Sequence, residues 1–166
     1  MPAHLEDEMK KLILLLLTVV LMSGCFGSKK ESEGSANKVT TVSKGFVDEL
    51  KKQYAGKAII VNFFGSWCPP CIKETPDFIE AYEKYKGDDF VIVGISVDKT
   101  LEDAQKFVDE HKITYPVFHA DSNLGMEMNI YTIPASFIFK PDGQLFERVE
   151  GPLSPTQLEY IATKLK

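Results

Sequence analysis

Two cysteines three residues apart, Cys68 and Cys71, are the side chains of this sequence that point most directly to chemistry. They stand in Trp67-Cys68-Pro69-Pro70-Cys71, after an unbroken apolar run at residues 58–64 and before a helical pattern over residues 72–85. Thiols placed where a strand passes into a helix can exchange disulfides. The helix start offers unpaired N–H groups and the positive end of the macrodipole to an anion. Exchange runs through the thiolate, and thiols in such settings fall to about 3.5–7.5 from about 8.5. Cys68 is therefore the expected nucleophile. Cys71, one turn further in on the same face, is the expected resolving thiol, at a separation that suits a short-span disulfide. Pro69 and Pro70 fit the first helical turn, where a missing N–H costs little. They stiffen the loop and remove donors near the Cys68 sulfur, which favours a reductant. Trp67 is expected to add apolar surface beside the nucleophile. The competing reading of the motif is half of a structural zinc site, which needs two more ligands. Beyond the N-terminal leader only His111 and His119 are on offer, at no matching spacing.

The elements that must position this pair can be traced along the chain. Residues 39–42 read as a short strand, and Ser43 can cap a helix whose apolar face holds Phe46, Val47 and Leu50 and which ends at Gly56. Residues 58–64 read as a buried strand, and the cysteine-bearing helix that follows carries Pro76, expected to kink it. Residues 89–97 form a second buried strand. Thr100 starts a helix with Leu101, Ala104, Phe107 and Val108 inward. Residues 115–118 suggest a short strand and residues 121–129 a short helix, into which Met126 and Met128 are expected to pack. Residues 135–139, a turn at 140–143 and residues 144–149 make an antiparallel pair. Ser154-Pro155 opens a last helix with Leu158, Ile161 and Leu165 on one face. The order βαβαβαβαββα implies a mixed, partly parallel sheet covered on both faces.

The 166 residues suit one domain, and 44% hydrophobic with 26% charged residues is ordinary globular composition. Residues 25–166 carry 17 Lys+Arg against 21 Asp+Glu, a net charge of -4, which is no nucleic-acid footprint. The third cysteine, Cys25, lies at the end of a leader. Residues 1–8 are polar and acidic, so Met9 is the expected start, followed by Lys10, Lys11 and an apolar run of 11 residues, too short to span a bilayer. Leu21-Met22-Ser23-Gly24-Cys25 resembles a bacterial lipobox, with Met22 where leucine is usual. That resemblance implies removal of residues 1–24, lipidation of Cys25 and stable anchoring by its acyl chains. Residues 25–37 would be a flexible tether and 38–166 the folded domain.

Residues 61–71, Val-Asn-Phe-Phe-Gly-Ser-Trp-Cys-Pro-Pro-Cys, together with Thr132-Ile133-Pro134, resemble the thioredoxin superfamily, and more narrowly its exported TlpA/ResA-like branch. The likeness covers residues 38–166 and implies a thioredoxin-like three-layer α/β/α sandwich with a TlpA-type helix-strand insertion between about residues 100 and 119. The front departs from that branch, with a plain strand and helix in place of a hairpin. By the resemblance, Cys68 and Cys71 form the redox disulfide and Pro134 is a cis-proline facing it. Ile133 pairs with substrate backbone, and Trp67 lies at the substrate surface. Asn62 stands where cytoplasmic thioredoxins carry a buried aspartate, and an amide cannot accept a proton. Glu74 matches a glutamate near the cysteine pair in ResA-like proteins and is the candidate proton handler for Cys71.

These readings converge on a membrane-tethered, extracytoplasmic protein disulfide reductase that needs no metal or organic cofactor. Its substrates would be oxidised protein thiols, with apocytochrome c the leading family example. Its electrons would come from a membrane donor of the CcdA/DsbD kind, and it would act as a monomer. A DsbA-like oxidase is disfavoured by the lack of a large helical insertion and by the Pro-Pro pair. A peroxidase would need Pro-x-x-x-Thr-x-x-Cys, and Gly65 stands in place of the threonine. A lipid-anchored copper chaperone would need wider cysteine spacing and a partner histidine.

Overall fold

The computed structural model describes residues 37–87 and 89–165. The Met9 start, the signal peptide, lipidation at Cys25 and the tether as far as residue 36 lie outside the described residues. The elements are β1 (Thr41–Val42), α1 (Phe46–Gln53), β2 (Ala58–Phe64), α2 (Pro69–Tyr85), β3 (Phe90–Ser96), α3 (Leu101–His111), β4 (Val117–Ala120), α4 (Ser122–Glu127), β5 (Ala135–Phe139), β6 (Leu145–Glu150) and α5 (Pro155–Lys164).

They build a six-stranded sheet in the order β1-β4-β3-β2-β5-β6. β1, β4, β3 and β2 run parallel, while β5 is antiparallel to β2 and to β6. β2 and β3 are the centre, and all seven residues of each are buried. Their mostly apolar sequences, broken only by Asn62 in β2 and by Gly94 and Ser96 in β3, follow from being covered on both faces. Alternation along β2 sorts its side chains between two cores. Ile60 and Phe64 pack with Phe78 of α2, Phe107 of α3 and Leu158 of α5. Ile59, Val61 and Phe63 pack with Leu50 of α1, Leu124 of α4 and Phe137 of β5. The molecule is thus a thioredoxin-like three-layer α/β/α fold, with α3 and β4 in the place expected for the insertion.

Several local expectations need correction. Ser43 does not cap α1. The cap is Gly45 in the left-handed region (φ 89°), with no side-chain hydrogen bond. The Ser43 hydroxyl donates instead to Asp121 Oδ2 at 2.7 Å, a carboxylate partner outcompeting a local amide. The strand expected at 115–118 lies two residues later, at Val117–Ala120. Pro116 has no N–H for a ladder, and its carbonyl accepts from Gly94 N at 2.9 Å. Pro76 lies inside α2, a single 17-residue helix, where the sequence pattern placed it. The carbonyl that Pro76 leaves without an amide belongs to Ile72, an exposed residue. Met128 packs on the core, but Met126 is 68% exposed rather than packed. Asn37, assigned to the tether, is tied into the domain. Its Nδ2 donates to the carbonyls of Ile113 and Tyr115, both at 2.7 Å, and its own carbonyl accepts from Gln105 Nε2.

Candidate functional site

Cys68 is the N-cap of α2, and Pro69 and Pro70 occupy its first positions. The prolines do not strip the sulfur of donors entirely. The Cys71 amide reaches Cys68 Sγ at 3.4 Å. Cys68 and Cys71 are joined in a disulfide with their Cα atoms 5.3 Å apart. Both are buried, at 3% and 1% exposure, so Cys68 meets solvent only across a narrow window.

The loop before β5 forms the far wall of that window. The Ile133–Pro134 peptide bond is cis, and the Ile133 carbonyl oxygen lies 3.8 Å from Cys68 Sγ. Trp67 forms the near wall and is 65% exposed, as expected of surface beside the nucleophile. A methyl group on Gly65 would come within 3.0 Å of the Trp67 indole and 3.1 Å of the Ile133 side chain. The absence of a side chain at 65 is what lets both walls close in. From this point a groove of about 870 Å³ opens away from the disulfide. Apolar side chains, among them Trp67, Met126, Tyr131 and Ile133, line it together with the charged Asp98, Lys99 and Asp121.

Behind the disulfide lies a buried polar network. The Glu74 carboxyl, 4% exposed, accepts from Asn62 Nδ2 and from the Leu153 amide, each at 3.1 Å. Asn62 Nδ2 also donates to Ser136 Oγ at 3.1 Å. Burial pushes Glu74 up from its usual 4.5 to about 7, against the two hydrogen bonds, which favour the charged form, and with a small contribution from Asp77. Glu74 and Cys71 are three apart on the buried face of α2. Glu74 is therefore no solvent-facing helix carboxylate. It is an acid that titrates near neutral pH on the inner side of the resolving thiol. Burial likewise pushes the Tyr115 hydroxyl up, aided by the nearby Glu74 charge.

The structure thus brings Trp67, Cys68, Cys71, Ile133 and Pro134 to one surface, with Glu74 beneath it. Cys25 lies outside the described residues. Among the described residues no group of three or more His, Cys, Asp and Glu side chains could hold a metal ion. His119 is a satisfied buried residue, with Nε2 at 2.9 Å from the Asp98 carbonyl and Nδ1 at 3.2 Å from Thr41 Oγ1. His111 stacks beside Phe107, their centroids 4.3 Å apart.

Three residues near the site escaped the sequence reading. Ser136 is a single hydroxyl in the apolar strand β5, directly opposite Asn62 in the β2 register. One polar residue in each of two buried strands was a legible signal. Asp98 is a buried carboxylate just after β3. Arg148 of β6 stacks on Phe137 and donates to the carbonyls of Met128 and Asn129, bracing the chain ahead of Ile133. Asp98 and Arg148 each have one near partner, Ser96 and Glu150, but the contacts that tie them to the site, to Ser66 and to the carbonyls of Met128 and Asn129, lie 19 to 32 residues away.

Comparison with known proteins gives a consistent picture. The AhpC/TSA family model matches residues 23–148. Thiol-disulfide oxidoreductase ResA of Bacillus cereus is 30% identical over 162 residues, 93% of each chain. A thiol:disulfide interchange protein of the thioredoxin family from Chlorobium tepidum superposes with a TM-score of 0.64 at 32% identity, covering 69% of this chain and 83% of that one. StoA of Bacillus subtilis gives 0.58 at 32% identity, covering 64% and 82%.

Proposed function

The chain belongs to the AhpC/TSA family and is a thiol-disulfide oxidoreductase of the ResA/StoA type, and from that premise we propose that it works as a protein disulfide reductase tethered outside the cytoplasm. The observation that carries the reading is the Cys68–Cys71 disulfide flanked by Trp67 and Ile133, which also line a largely apolar groove, with a buried acid, Glu74, that titrates near neutrality on the same helix.

In the dithiol form, the Cys68 thiolate attacks one sulfur of a client disulfide. The client S–S bond breaks, its other sulfur leaves as a thiolate and takes a proton from solvent, and a mixed disulfide joins Cys68 to the client. Cys71 then gives its proton to the Glu74 carboxylate and attacks Cys68 Sγ. The mixed disulfide breaks, the second client sulfur leaves as a thiolate, and Cys68–Cys71 closes. Two electrons have passed to the client, and a dithiol donor of the CcdA/DsbD kind returns the protein to its starting state. Trp67 and Ile133 grip the client segment around its cysteine. The exposed apolar lining and the Ile133 backbone beside the sulfur support this role. Pro134 holds the Ile133 carbonyl towards that sulfur.

Cys25 supplies the anchor, a reading supported by the lipobox-like sequence and by an odd third cysteine with no place in the exchange. A single domain working as a monomer on oxidised protein thiols suffices for this scheme. Maturation of apocytochrome c is the physiological use proposed. The test is trapping. Cys71→Ser should accumulate a mixed disulfide between Cys68 and a disulfide-bonded client, released by dithiothreitol, and Cys68→Ser should accumulate none. Equal trapping by both variants would contradict the assignment of nucleophile.

A further inference from the structure

We propose that Asp98 is a positioning residue for disulfide exchange: its carboxylate fixes residues 65–67 and thereby sets where Trp67 stands beside Cys68. The inference rests on the reading that Trp67 lines the client groove.

Asp98 is 5% exposed and lies two residues beyond β3. The Val97 amide donates to the Phe64 carbonyl at 2.8 Å, carrying the β2–β3 pairing past the ends of both strands. That brings Asp98 to the segment linking β2 to Cys68. Its carboxylate accepts from the Ser66 amide at 3.0 and 3.2 Å, from the Ser66 hydroxyl at 2.8 Å and from the Ser96 hydroxyl at 2.6 Å. The Asp98 backbone is held in turn. Its amide donates to Ser96 Oγ at 3.0 Å, and its carbonyl lies 2.9 Å from His119 Nε2. A carbonyl only accepts, so that imidazole nitrogen carries a proton. β3 and β4 therefore brace the residue.

All the donors on the carboxylate are neutral, so what the negative oxygens supply is acceptor capacity at two points of one short loop. An asparagine would turn an NH₂ towards either the Ser66 or the Ser96 donor. The residue gripped is Ser66, immediately before Trp67. With about two-thirds of its surface exposed, the indole is not held by core packing. Its orientation follows from the backbone beneath it, and the Ser66–Asp98 bonds fix that backbone. The same bonds fix the approach to Cys68, two residues on.

Trp67 is the single tryptophan of the chain, so its fluorescence reports this position alone. The test uses full-length Asp98→Asn and Ser66→Ala, with Trp67→Ala as control, and a synthetic peptide closed by one disulfide with phenylalanine beside a cysteine. Loss of charge-assisted bonds to the loop should raise KM for the peptide about tenfold in Asp98→Asn, more than it lowers kcat, with a smaller rise in Ser66→Ala. Trp67 anisotropy should fall in both. Wild-type KM and anisotropy in both variants, with only a lower Tm, would make Asp98 a structural residue and overturn the proposal. Should Asp98→Asn fail to fold, Ser66→Ala decides by the same two readouts. A wild-type KM in Trp67→Ala would instead remove the groove reading, while anisotropy still decides whether Asp98 holds the loop.

Discussion

Glu74 buries a carboxyl whose proton is held to about pH 7, whereas the unfolded chain releases it near 4.5. Its folded-state pKa is raised, so the native state binds more protons than the unfolded state between those values. Stability must therefore fall as pH rises from about 4.5 to 7, by about 3 kcal/mol from this group alone, and level off above. Denaturant unfolding of the oxidised protein across pH 4–9 should show this slope, and Glu74→Gln should lack it. The same variant should lose an inflection near pH 7 in the reductase rate, since an amide takes no proton from Cys71. An unchanged pH profile in Glu74→Gln would dispose of its role in exchange. Gly65 is the second residue on which the site turns. Gly65→Ala puts a methyl within about 3 Å of the indole and of Ile133, so one of them must give way. The expected result is a shifted Trp67 emission maximum and a weaker grip on peptide disulfides.

Among the elements, α2 presents the thiols and α5 backs it. α5 is closed at its start by a full capping box, with Ser154 Oγ accepting from the Gln157 amide and Gln157 Oε1 accepting from the Ser154 amide. Ser154→Ala should cost about 1 kcal/mol, read as a lower denaturant midpoint at unchanged slope, because Leu158 and Ile161 keep the helix docked. Which elements were legible in advance follows from where their determinants lie. β2 and β5 were readable to the residue because continuous burial writes itself as a nearly continuous apolar sequence, with one polar residue in each. The start of α5 was readable because Ser154 and Pro155 stand side by side, while the partner of Ser154 in the capping box, Gln157, comes from the structure. The start of α1 and the register of β4 were not. Ser43 is bound by Asp121 and Gly45 by Glu127, nearly half the chain away. The same reason hid the polar network. Cys68 and Cys71 declare themselves by type and spacing and Pro134 by the family resemblance, but Glu74 meets Leu153 across 79 residues, and its burial emerges only when α2 packs beside β2 and the loop before α5.

At the scale of the molecule, one three-layer domain sets a groove beside Trp67 and Ile133 and a buried carboxyl, Glu74, on the helix that carries the disulfide. Tethering through Cys25 predicts that Cys25→Ala moves the protein from the membrane to the soluble fraction, and the same distribution for both forms would contradict the anchor. Direction of electron flow is set by the whole fold, because the potential measures how much more the protein stabilises its disulfide than its dithiol. It is measured by equilibrating the purified protein with glutathione buffers and quantifying the Cys68–Cys71 disulfide. A value near thioredoxin's, roughly -270 mV, is the result this account predicts, and a value near DsbA's, about -120 mV, would contradict it and make the protein an oxidant.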